Sequence, residues 1–468
     1  MKIETLASGT CNVGVHRTTL TPAEAYAMAG YSWAGRIGTP SGDEDLFARA
    51  LYLESAGECV ALCFIDLMSA SLRLVQAVAE RLKKAGEATL AENFILSGTH
   101  THTGPGNFYG NSFYDVFAQN LFGAERKGFQ AGLVAQMADA ICRSILGAKQ
   151  NARSGRLVVN RAEVWGLSRN RSLPAYAANF FNGAGERITL GGTPPAELSE
   201  AECAIDPRLT TLTAVTDTQV IGAFSLFGCH ATALGPKWET YARDWPGVLV
   251  DTVEAGLRER GLCGEGTAVA ALGQGAGGDI TPLPFDDDRG ASQGPELAQR
   301  VGAALAKAAL ACVDQAMSEA ALVPLVLSHE SGIFRVDAPS GERPWMIGLP
   351  VMGGAEDGRS VFYELGFVRE GTAQRPDGSP QSPKVPALGV IQEMLAEVAL
   401  DIAPYHPWHR LKLGAHVIFS VPGEPTATAA HELETALLSA TGHASASVLG
   451  YTGDYAGYFT TEAEYECQ

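Results

Sequence analysis

Short, mostly apolar runs bounded by glycine and proline recur along this chain, and stretches of helical length lie between several of them. The clearest runs are Cys59 to Ile65, Phe94 to Leu96, Val220 to Phe227, Ala268 to Leu272 and His416 to Val421. A strand with one face in water alternates apolar and polar residues, so runs with so little polar interruption read as strands covered on both faces. Helices are predicted at about Leu72 to Lys84, Lys127 to Leu146, Pro246 to Arg260, Pro295 to Ala316 and Thr426 to Thr441, the last with Ala, Leu and Glu at helical spacing. Alternation of the two kinds of element predicts the α/β class, with one or more mixed sheets flanked by helices.

With 468 residues, 46% hydrophobic and 18% charged, the chain has ample material for a large core and is read as one catalytic domain over residues 1–468. No internal repeat is visible. Regions near 174–202, 282–295 and 353–386 are rich in Gly, Pro, Ser and Asp and read as loops or insertions. Within the second, Asp286-Asp287-Asp288 reads as a solvated loop, because three adjacent side chains rarely converge on one cation. The formal charge of −18, without any Lys/Arg run, repels phosphate and argues against a nucleic-acid partner. The first residues lack the apolar core of a secretion signal, and no run approaches the ~18–20 apolar residues of a membrane span. A cytoplasmic location and no transmembrane segment are therefore expected. The nine cysteines form no C-x-x-C pair and read as reduced, mostly buried thiols.

Several polar residues fall just after strand-like runs. His100 and His102 follow Phe94 to Ser97, His230 follows Val220 to Phe227, Asp279 follows Ala268 to Leu272, and Glu424 follows His416 to Val421. In α/β folds the carboxyl ends of strands border the ligand crevice, so these distant residues are expected to meet there. In an extended chain His100-Thr101-His102 would place both imidazoles on one face, about 6–7 Å apart, one on a metal and the other beside it. His230 and Glu424 are natural additions, because zinc in hydrolases takes nitrogen and carboxylate ligands and keeps one position for water. Gly273-Gln274-Gly275-Ala276-Gly277-Gly278 matches a dinucleotide fingerprint in letters. It runs into Asp279-Ile280-Thr281-Pro282-Leu283-Pro284, whose prolines disfavour the helix such a fingerprint must open. Close backbone approach to a ligand is the better reading of those glycines.

Seven segments, taken in order, resemble the catalytic domain of the neutral ceramidases, the neutral/alkaline non-lysosomal family of zinc-dependent amide hydrolases. They are Ser97 to Gly106; Asn170-Arg171-Ser172; Asp206-Pro207 leading into a strand; His230 with Asp244 downstream; Gly277 to Pro282; Val421 to Thr426; and Tyr455-Ala456-Gly457-Tyr458 followed by Thr460-Thr461-Glu462. They span nearly the whole chain in the family's order. The resemblance implies that His100, His230, Glu424 and Tyr458 bind Zn2+, with His102 beside the metal and Arg171 anchoring the polar head of the substrate. It also implies cleavage of N-acylsphingosine into a fatty acid and a sphingoid base by a zinc-activated water. On this reading His102 is the candidate acid for the leaving amine and Tyr458 or Arg171 stabilises the oxyanion. Asp279 and Thr281, in the family's Gly-Asp-x-Ser-Pro-Asn segment, join the catalytic set.

That segment reads Gly278-Asp279-Ile280-Thr281-Pro282-Leu283 here, so Thr replaces Ser and Leu replaces Asn. A hydroxyl survives, but its extra methyl crowds the site. Many members are exported and carry a C-terminal β-sandwich domain, for which this sequence offers neither a signal nor spare residues. The chain ends at Glu466-Cys467-Gln468, where the family's pattern continues with another Tyr-Glu, so a truncated C-terminus is one reading. The expected activity is hydrolysis of ceramide or a related N-acyl amide, small or lipid. The alternatives are a cytoplasmic hydrolase of a soluble amide or ester, and a metal-holding homologue with weakened turnover.

Overall fold

The computed structural model describes every residue except 1, 32–35, 43, 111–113, 116–127, 180–189, 264–267, 283–292, 321–322, 336–352, 356–358, 368–404 and 468. Leu283 and Asp286-Asp287-Asp288 therefore lie outside the described residues. All five predicted runs are strands and all five predicted helices form, with ends shifted by a few residues. The helix read from Lys127 begins at Ala131 and runs to Gln150. Single helical turns interrupt two of the predicted loop regions, at Glu200–Cys203 and Val361–Glu364.

The strands and helices fall into three units of one topology, a repeat that the sequence does not display. Unit one is β1 (Ile3–Thr19), β2 (Phe47–Ser55), β3 (Glu58–Ile65), α1 (Leu72–Lys84) and β4 (Phe94–Gly98), followed by α2 (Ala131–Gln150). Unit two is β5 (Arg153–Glu163), β6 (Arg208–Val215), β7 (Val220–Phe227), α3 (Asp244–Glu259) and β8 (Val269–Gln274), followed by α4 (Pro295–Ser318). Unit three is β9 (Leu327–Arg335), β10 (Tyr405–Leu413), β11 (His416–Ser420), α5 (Ala427–Thr441) and β12 (Ser445–Leu449), followed by α6 (Glu462–Cys467). In each unit the first three strands pair antiparallel and the third and fourth pair parallel, across a helical crossover. Pairing of β1 with β5 fuses units one and two into an eight-stranded sheet of order β8-β7-β6-β5-β1-β2-β3-β4, while unit three forms a four-stranded sheet.

Side-chain alternation explains why both faces are buried. Ala48, Ala50 and Tyr52 of β2 and Ala61, Cys63 and Ile65 of β3 pack with residues of α1 and α2, the alanines admitting the helices closely. Leu51, Leu53, Leu62 and Phe64 point the other way and join Leu411, Leu413, Ile418 and Leu449 of the small sheet. The two sheets thus stack with a shared core between them, and helices cover the outer face of the large one. Phe64 on β3 lies 5.8 Å from Phe224 on β7, ring centre to centre. Residues after β12 join the two edge strands of the large sheet. Gly98 N donates to Tyr451 O and Gly453 N to Leu96 O, while Gly450 N donates to Gln274 O at 2.8 Å. The carboxyl ends of the three parallel pairs consequently converge.

Burial sets a clear pH response. It lowers the imidazole pKa of His100, His409 and His416 to about 3 and that of His329 to about 4. Unfolded, these groups protonate near 6.5, so their contribution is complete above that pH and is lost as the pH falls toward the folded values. Each costs up to about 1.4 kcal/mol per pH unit in that window. Burial raises Asp244 and Asp279 to about 6 and also raises Glu44 and Glu434, which opposes part of the loss, but it lowers His16, His431 and His443 as well, so the histidines outnumber the carboxyls. The melting temperature of chelator-treated protein should therefore drop between pH 7 and pH 5. A flat or rising profile in calorimetry would contradict this.

Candidate metal centre

Each unit supplies a loop to one buried site. His100 and His102 follow β4, His230 follows β7, and Glu424 follows β11. His100 is held by its backbone N–H, which donates to Leu67 O at 3.0 Å, and it adopts a left-handed φ of 61°. Such backbone is costly for a non-glycine and persists only where the surroundings impose it. The turn also corrects the expectation of an extended H-x-H, because the two rings are 4.7 Å apart rather than a full pleat repeat. Asp244 braces the His230 loop by accepting from the N–H groups of Ala233 and Leu234, and Trp245 Nε1 donates to His230 O at 2.8 Å. Glu424 sits in a two-residue strand in register with Tyr458.

Tautomers follow from these contacts. A carbonyl only accepts, so His100 Nδ1, 2.8 Å from Met68 O, and His230 Nδ1, 2.5 Å from Gly277 O, both carry hydrogen. In the neutral rings each Nε2 is then a lone pair. Arg171 Nη2, which can only donate, lies 3.0 Å from His230 Nε2 and agrees. These lone pairs face one carboxylate: His230 Nε2 is 3.0 Å from Glu424 Oε2 and His100 Nε2 is 3.6 Å from Glu424 Oε1. Tyr455 donates its hydroxyl hydrogen to Glu424 Oε1. That hydrogen bond favours the ionised form of Glu424.

An anion faced by two lone pairs fits a cation between them. Glu424 Oε2 and Tyr451 Oη are buried without a hydrogen-bond partner among the described residues, although the Tyr451 ring lies 4.0 Å from His100. Zinc–ligand bonds of about 2.0–2.1 Å separate two ligands of one tetrahedron by about 3.3 Å. The 3.0 and 3.6 Å separations match that edge. The three imidazoles alone form a buried group able to hold a metal ion. Backbone carbonyls on Nδ1 of His100 and His230 are the outer contacts that orient metal-binding histidines.

The remaining predicted residues flank this centre. Arg171 Nη2 also donates to Gly278 O at 2.9 Å and to the Tyr458 hydroxyl at 3.0 Å, which joins Tyr458, 52% exposed, to the His230 edge. Asp279 stands behind Arg171. Its backbone carbonyl accepts from Arg171 N, while its carboxylate accepts from Asn170 Nδ2 at 2.6 Å and from Ala427 N at the start of α5. Thr281 is fully buried and pairs through its backbone with Arg169. No nucleotide-type helix opens after the glycine run, since Ile280–Thr281 is a short strand against Arg169–Asn170. Those glycines admit other backbone instead, a side chain on Gly278 meeting Glu424 O at 2.8 Å. Sequence reasoning assigned no role to Tyr455, to the Met68 and Gly277 carbonyls or to Tyr451. The Tyr455-to-Tyr458 spacing was the one available signal, because carbonyl acceptors leave no trace in residue type.

The family described as neutral/alkaline non-lysosomal ceramidase, N-terminal, matches residues 12–289, more than half of the chain. The chain belongs to the neutral ceramidase family. The neutral ceramidase of Drosophila pseudoobscura pseudoobscura is 26% identical over 99% of this chain and 71% of that protein. The neutral ceramidase of Mycobacterium tuberculosis is 24% identical over 81% of this chain and 60% of its own length. A crystal structure of neutral ceramidase from Pseudomonas aeruginosa superposes with a TM-score of 0.72 at 23% identity, covering 99% of this chain and 70% of that one. The mixed α/β architecture is thus that of a neutral ceramidase, and the family resemblance read from the seven segments is borne out. Among the described residues of this family member, no helix is long and apolar enough to cross a membrane.

Proposed function

We propose that this chain is a zinc-dependent amide hydrolase that cleaves ceramide into a fatty acid and a sphingoid base. The observation that carries the proposal is the buried Glu424 carboxylate, faced by two imidazole lone pairs whose tautomers are set by backbone carbonyls. His100, His230 and Glu424 would hold the ion, with Tyr458 completing the set from the open side. Zinc in such a site supplies a Lewis acid and a water ionised near neutral pH. His102, its Nε2 3.1 Å from that of His100, stands beside the ligands as the group that passes a proton to the departing amine. Arg171 Nη2 and the Tyr458 hydroxyl offer polar hydrogens for charge developing on the carbonyl oxygen. Asp279 acts through Arg171 by holding its backbone.

His102→Ala should keep zinc and lower kcat by about 10²–10⁴-fold, the usual range for a positioned acid or base. Loss of metal from this variant would make His102 a ligand instead. The whole proposal is tested by elemental analysis combined with mass spectrometry of products from a library containing ceramide and soluble N-acyl amides. One zinc per chain with release of fatty acid and sphingoid base is expected. Bound zinc without cleavage of any amide, or no bound metal, would overturn it, and cleavage confined to soluble amides would redirect the substrate.

A further inference from the structure

We propose that Gln274 is a positioning residue that sets the separation of the two imidazole-bearing loops. The inference rests on the metal-hydrolase reading of the site and adds to it a device that fixes ligand spacing. Gln274 ends β8, is fully buried and lies inside the glycine run that first resembled a nucleotide fingerprint. Its side-chain Oε1 accepts from Cys229 N at 3.1 Å, and its Nε2 donates to Thr99 O at 3.0 Å. Cys229 and Thr99 are the residues immediately before His230 and His100. One carboxamide therefore spans the loops that follow β7 and β4, on opposite halves of the large sheet. Its backbone carbonyl accepts from Gly450 N of unit three, so all three units meet at this residue.

Only an amide in one orientation satisfies both side-chain contacts, because the first partner is an N–H and the second a C=O. A carboxylate would face the Thr99 carbonyl with a second acceptor, and a thioether could pair with neither backbone group. On one side of Gln274, a side chain on Gly273 would meet Phe64 and Leu449 at 2.9 Å. A direct backbone bridge between Thr101 and Ala231 ties the same two loops on the far side of the histidines, so the imidazoles are held between two cross-links.

Gln274→Met and Gln274→Glu, measured beside Ser144→Ala, separate positioning from general stability. Ser144 on α2 is a buried hydroxyl bonded to the carbonyls of His16 and Ala48, and its loss should lower the melting temperature alone. Both Gln274 variants should bind zinc at least tenfold more weakly in chelator competition. The 15N imidazole shifts of His100 and His230 should move in the metal-free protein, while those of Ser144→Ala stay in place. Should the Met variant fail to fold, the near-isosteric Glu variant gives the same two readouts. Wild-type affinity and unchanged imidazole shifts in the folded variants would overturn the proposal. If the wild-type protein takes up no zinc, the metal reading fails on its own and the imidazole shifts alone decide the role of Gln274.

Discussion

Replacing His230 with alanine, or His100 in a separate variant, should cost the chain its zinc and its amide hydrolysis together. Each ring is oriented by a backbone carbonyl at Nδ1 and presents Nε2 to Glu424. Loss of an outer partner of a metal ligand typically weakens affinity by 10–100-fold, and loss of a ligand should exceed about 100-fold. Metal content after gel filtration and the rate of amide cleavage are the two readouts. Retention of stoichiometric zinc by both variants would remove these residues from the ligand set.

Glu424→Gln should have effects of opposite sign on function and on the stability of the metal-free protein. The carboxylate is the anion at the point where the two Nε2 lone pairs converge, and a neutral amide there should weaken zinc binding by more than tenfold, the more so in a buried site where charge is poorly screened. In the metal-free protein the same carboxylate faces lone pairs, and its Oε2 lacks a hydrogen-bond donor among the described residues. An amide NH2 at that position removes the buried charge and can share the His230 Nε2 lone pair with Arg171 Nη2, while the amide oxygen keeps the bond from Tyr455. One recovered buried hydrogen bond contributes about 1 kcal/mol, enough to raise the melting temperature of the metal-free variant by a few degrees. A metal-free Glu424→Gln protein that melts below metal-free wild type would mean that the carboxylate is already paired with an imidazolium.

Five strands buried on both faces were legible because burial forbids polar alternation, whereas Phe47–Ser55 and Ser445–Leu449, equally buried, were not read. The same physics hid the first strands of each unit. Ile3–Thr19 and Arg153–Glu163 are threaded with charged and small residues, and Leu327–Arg335 is half exposed. The threefold topology was invisible for a related reason, since the units share strand order and pairing but have connecting segments of very different length between their first and second strands. His100, His230 and Glu424 could be found because polar residues stand out after apolar strands. Gln274 could not, since its function lies in joining two backbones distant in sequence. The spacing of the two histidines was misjudged because a left-handed residue at His100 breaks the pleat.

X-ray absorption at the zinc edge of the loaded protein tests the central claim most directly. A shell of two imidazole nitrogens with the remaining donors oxygen, and no zinc retained by His230→Ala, is the expected result. A shell containing sulfur, or an all-oxygen shell indifferent to that substitution, would place the ion elsewhere and contradict the account.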